Sequence, residues 1–263
     1  MLRDAAREQP STIRIFISLL VVLGASGSVA LLDAAEGTLA ENRVVSVPLG
    51  IGLTVVCAVA ASRGLRDAVA QWCTNADIPF EVTTVDTYVA AAGTAGFWLL
   101  AKEFANMGTA LPAVLSISAI AVWCAVVDQT TMRIPTSAAY TAAALALFLT
   151  VIAGFFESDV PAILRAVEGG FAMALMYLLV AWATGGGLGM GDVRLSLSLG
   201  VVLGYQGWSS VGAGLILPIL VLFPVAVGTI IHRRITGSTS ASREIAAGPG
   251  LVAGCAMALA LNG

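Results

Sequence analysis

The chain has 263 residues, 13 Lys+Arg against 16 Asp+Glu, and a net charge of −3. Charged residues make up 11%, against roughly 25% in a soluble domain. Apolar residues reach 58% and mean hydropathy is +0.93. This excludes a soluble globular domain and a disordered chain. The pI near 5.1 and the lack of a basic face exclude a nucleic-acid partner. The composition points to an all-α, polytopic transmembrane helix bundle.

Taken in chain order, clear apolar runs cover 15–32, 44–62, 87–105, 108–127, 137–156, 166–184 and 210–231. Weaker ones cover 193–206 and 247–261. The first run follows Arg3, Arg7 and Arg14 and has the length of an uncleaved anchor rather than a cleaved signal peptide. The largest polar stretch, 63–86, is too small for a separate domain. The break between the third and fourth runs rests on Lys102, Glu103 and the Asn106-Met107-Gly108 turn signal. The 193–206 run is short and Ser-containing, suited to the inside of a bundle and not to lipid.

Nine spans with the N-terminus inside sort the charges sharply. Arg3, Arg7, Arg14, Arg63, Arg66, Arg133, Arg194, Arg233, Arg234 and Arg243 fall on one side, ten in all, against Arg43, Lys102 and Arg165 on the other. By the positive-inside rule the first side is cytoplasmic, the N-terminus is inside and the C-terminus outside, as expected of a multi-pass plasma-membrane protein. Dropping either weak span scrambles this alternation. Cys57, Cys73, Cys124 and Cys255 form no CxxC pair, so neither a zinc ribbon nor a disulfide framework is expected. His232 beside Arg233 and Arg234 reads as an interfacial residue. No metal and no cofactor is implied.

Ionisable residues inside a membrane protein mark function. Asp128 ends an apolar run and opens DQTTMRIP, while Asp192 lies in GGGLGMGDVRL, where a Gly-rich break meets a short helix. Both fall at cytoplasmic ends of spans. The plain alternative for Asp128 is a boundary residue, and for the glycines a helix-packing seam. A seam needs no Asp at its end. Two carboxylates meeting in a partly dry pocket cannot both ionise cheaply. That leaves a base to activate water and an acid to polarise a carbonyl, the division of labour in aspartic proteases.

Asp128, Arg133, Ile134 and Pro135, followed by Gly189-Met190-Gly191-Asp192-Val193-Arg194-Leu195, resemble the type IV prepilin peptidase family of GxGD aspartic membrane proteases. Glu244-Ile245-Ala246-Ala247-Gly248-Pro249 is similar to that family's third motif. The resemblance implies catalysis by Asp128 and Asp192. Arg133, Pro135, Gly189, Gly191, Arg194, Glu244, Gly248 and Pro249 are then supporting residues. Within that family Thr136 departs from the usual Asn or Asp, Arg194 from Lys, and Ala246 and Ala247 from Pro and a bulky residue. Arg keeps the charge of Lys but changes its geometry. Pro135 suits the first turn of the helix over 137–156, and Gly248-Pro249 suits the start of the last one.

The resemblance covers 108–263, a six-span core; 1–107 is a three-span region without an assigned role. It implies cleavage, after a Gly, of the basic leader of pilin-like precursors at the cytoplasmic face. The precursor's apolar helix would enter from the lipid, and Glu244 would attract the leader. The larger family members carry a cytosolic insert with two CxxC pairs and methylate the new N-terminus; this chain has no such insert, so peptidase activity alone is expected. A proton-coupled transporter and a catalytically altered pilus-assembly factor remain alternatives. Only one Gly-broken helix is evident, where a carrier with internal repeats shows matching breaks in two halves. A presenilin-like protease would carry Y-D and P-A-L signatures, which are missing.

Overall fold

The structure, a computed structural model, describes residues 11–38, 43–104, 107–183, 188–236 and 246–262. Among these residues there are nine α-helices, a short 3-10 helix over Gly108–Ala110 and no strand. They are α1 (Ser11–Thr38), α2 (Arg43–Asn75), α3 (Thr84–Phe104), α4 (Leu111–Thr131), α5 (Thr136–Glu157), α6 (Val160–Ala183), α7 (Met190–Gln206), α8 (Trp208–Thr236) and α9 (Gly248–Leu261). Among the described residues each expected apolar run centres on one α-helix, the two weaker runs on α7 and α9. The segments Gly108–Thr131, Thr136–Glu157 and Val160–Ala183 are long and apolar enough to cross a membrane.

The expected break before α4 is built on Gly108, whose φ is +50°. Glycine takes that conformation without steric cost. A Cβ here would also stand 2.8 Å from Glu157 Oε1. That oxygen accepts from the Thr109 N–H at 3.0 Å and the Thr109 hydroxyl at 2.7 Å. The other carboxylate oxygen accepts from the Tyr205 hydroxyl at 2.8 Å. One carboxylate thus ties together the start of α4 and the ends of α5 and α7.

Burial separates two kinds of helix. α4 is buried along almost its whole length, and α7 is buried from Asp192 to Tyr205 apart from Arg194 and Leu197. A helix apolar on every side belongs inside the bundle. α5 and α6 instead turn Phe148, Phe155, Phe156, Phe171 and Trp182 outward, the surface a lipid-facing helix requires. In α7, the hydroxyls of Ser196 and Ser198 donate back to Val193 O and Leu195 O at 2.8 Å. That removes the cost of burying them.

Small residues let α6 and α7 touch backbone to backbone. A Cβ on Gly169 would lie 2.8 Å from Gly200 O, and one on Gly200 would lie 2.9 Å from Gly170 Cα. Gly204 faces the Arg165 carbonyl just as closely. Such small-residue faces are the usual membrane packing device. This seam lies on α7 itself.

The first three helices pack onto α4. Trp98 Nε1 donates to Leu115 O at 2.8 Å, and Trp123 Nε1 donates to Ser62 O at 3.1 Å. Ser26 and Ser116 share a hydroxyl hydrogen bond of 2.8 Å. α2 runs beyond its apolar stretch into the polar one, as far as Asn75. The reason is periodic: Leu65, Ala68, Val69 and Trp72 recur at helical spacing and all four are buried.

Candidate active site

Asp128 sits in the last turn of α4. The helix stops three residues later because Met132 adopts the left-handed region, φ +55°, and donates its N–H to Asp128 O at 2.8 Å. Pro135, expected inside the first turn of the next helix, stands one residue earlier as its cap, with φ −59° and ψ 123°. The ring fixes a φ compatible with helix entry while the extended ψ turns the chain.

Asp192 is the third residue of α7, after a cap at the extended Gly189. Its backbone N–H donates to Gly189 O at 3.1 Å, and its Oδ2 stands 3.1 Å from where a Cβ on Gly189 would be. Gly191 allows the two motifs to meet: a Cβ there would stand 2.7 Å from Ile134 Cβ and 3.3 Å from Ile134 N. Any side chain would push the Met132–Pro135 connection away from the start of α7.

The start of α9 completes the arrangement. The Gly248 N–H donates to Asp128 Oδ2 at 2.9 Å. A Cβ on Gly248 would lie 2.9 Å from that oxygen and 3.2 Å from Asp128 Cβ, so the contact requires glycine. The α9 N-terminus adds its positive end to the same carboxylate.

Asp128 and Asp192 both line one cavity of about 250 Å³, together with Arg133, Ile134, Gly189 and Gly191. They are 5% and 4% exposed. Asp192 Oδ1 is buried and meets no hydrogen-bond partner among the described residues. A buried carboxylate oxygen left without a partner is costly unless it has another use. The site joins the C-terminal end of α4 to the N-terminal ends of α5, α7 and α9.

The other expected residues are placed less centrally. Arg194 Nη1 donates to Thr136 Oγ1 at 3.3 Å, and its guanidinium lies 5.9 Å from the Tyr140 ring centroid. Two of the four positions that depart from the family pattern, Thr136 and Arg194, therefore contact each other. Pro249 lines a second cavity of about 380 Å³ between α3, α4 and α9, whose walls are almost entirely apolar, Phe97, Val122 and Val252 among them. Gln129 and Pro249 bring this second cavity next to Asp128 and Gly248. Glu244 lies outside the described residues.

Sequence reasoning missed Ala76, Ile78 and Met132 in the aspartate cavity. The signal was the charge pattern, which put 63–86 on the same side as both aspartates.

No curated protein and no solved structure matches the chain. The segment 115–232, which carries both aspartates, matches the model of the Type IV leader peptidase family.

Proposed function

We propose that the protein is a membrane-embedded aspartic endopeptidase that removes the basic leader of pilin-like precursors at the cytoplasmic face. The observation that carries this reading is the convergence on one cavity of Asp128 and Asp192, both buried and both within the matched segment. One carboxylate takes a proton from water, and the resulting nucleophile adds to the scissile carbonyl carbon. The other protonates the carbonyl oxygen. Collapse of that adduct breaks the C–N bond, and the amine leaves with a proton from the pair. Gly248 N–H orients Asp128, and the backbone bond from Asp192 N–H to Gly189 O fixes the start of α7 that carries Asp192. Arg133 supplies positive charge beside the pair, Arg194 holds Thr136 at the start of α5, and Glu244 attracts the basic leader.

The apolar cavity between α3, α4 and α9 supports entry of the precursor's apolar helix from the lipid. It gives that helix a greasy wall adjoining Asp128. The test is co-expression with a pilin-like precursor and a gel-mobility assay. The wild-type chain converts the precursor to its shorter form, and Asp192→Asn does not. Conversion by Asp192→Asn at the wild-type level would overturn the aspartyl mechanism.

A further inference from the structure

Beside the aspartate pair stands a turn that the family segment does not contain. Ala76 and Ile78 line the same cavity as Asp128 and Asp192, yet they lie well before residue 115. The turn ends α2 in a built form. Asp77 is left-handed, with φ +53°. Ile78 N donates to Cys73 O at 2.9 Å, and Asp77 N donates to Thr74 O at 3.2 Å. These are the two bonds of a Schellman motif, which reverses the chain and drives the following apolar side chain inward. That side chain is Ile78, 7% exposed and part of the core. Below, Trp72 and Cys73 are buried; beyond, Thr83 and Asp86 cap α3 reciprocally through bonds of 2.9 and 3.2 Å. The turn is thus pinned at both ends, and Ile78 is a fixed wall.

We propose that Ile78 is a specificity-determining residue, and that the α2–α3 turn limits the size of the substrate residue held against the aspartates. This rests on the leader-peptidase reading. A cavity of about 250 Å³ is below the usual range for ligand pockets. With two carboxylates on it, it admits peptide backbone and little side chain. Ile78 and Ala76 close it from the side that the catalytic motifs do not reach. The three N-terminal helices thereby gain a role, since they carry α2 and hold its end against the site.

The experiment uses the full chain and a precursor series with Gly, Ala or Val at the residue preceding the cleaved bond. Ile78→Ala is expected to raise the Ala-to-Gly ratio of kcat/KM by roughly tenfold or more, the scale on which a pocket discriminates one methylene. Ala76→Val narrows the same cavity and is expected to lower that ratio. Ile78→Val, a milder change, serves if Ile78→Ala does not accumulate. Variants that accumulate and alter all three substrates equally, or none, would overturn the proposal. A wild-type chain that cleaves no member of the series would instead overturn the peptidase reading beneath it.

Discussion

Glycine does different work at each place in the site. At Gly248 it lets a backbone N–H reach Asp128 Oδ2 at 2.9 Å, and at Gly191 it lets α7 approach Ile134. Gly248→Ala places a methyl group against the carboxylate it serves. The variant is expected to accumulate and to lose activity at least about tenfold, since small displacements of positioned groups are costly. Activity within twofold of wild type in a cleavage assay would show that this contact is dispensable. Asp77 presents the opposite case, a side chain where the backbone favours glycine. Asp77→Gly is expected to be neutral or to stabilise by up to about 1 kcal/mol, whereas Asp77→Val, β-branched in a left-handed position, destabilises by about 1–3 kcal/mol. Thermal unfolding of the detergent-solubilised protein reads both.

At the scale of elements, the two most enclosed helices carry the two aspartates, at the C-terminal end of α4 and the N-terminal start of α7. Antiparallel neighbours bring such ends together. The α6–α7 seam fixes the height of Asp192, because Gly204 faces the Arg165 carbonyl and Gly200 faces Gly169. Gly204→Val overpacks this contact, and an overpacked core loses about 1–3 kcal/mol or more. The expected result is a marked fall in membrane accumulation, which Gly212→Ala, with open space around its Cβ position, does not share. Immunoblots of membrane fractions decide it. The two motifs and the order of helices were legible in the sequence because apolar runs, Gly-rich breaks and charge alternation act locally. Ile78 was not legible as a site residue. Its place depends on the turn after α2 reaching the cavity that α4 and α7 residues also line, and no local pattern announces that packing. The contact between Thr136 and Arg194 was likewise hidden, since the positions lie on different helices, and only a fold makes them partners.

For the whole molecule, the account requires one arrangement across the bilayer. Ten basic residues on the N-terminal side against three on the other predict that both aspartate loops and the 233–246 connection face the cytoplasm. A cysteine placed at Ser240 is expected to resist an impermeant reagent applied to intact cells and to label after permeabilisation. Labelling from outside would invert the topology. The N-terminal helices belong to this arrangement as well. Trp98 and Trp123 tie them to α4, and the α2–α3 turn reaches the site itself.

The central claim is that Asp128 and Asp192 act as one catalytic unit, and cleavage rates of Asp128→Asn, Asp192→Asn and the double variant test it most directly. Each substitution keeps the shape and removes the acid–base function. The account predicts that each single variant loses several orders of magnitude while still accumulating in the membrane, and that the double variant is little slower than either, as for residues that act together. Losses that multiply in the double variant, or a single variant that retains wild-type cleavage, would contradict it.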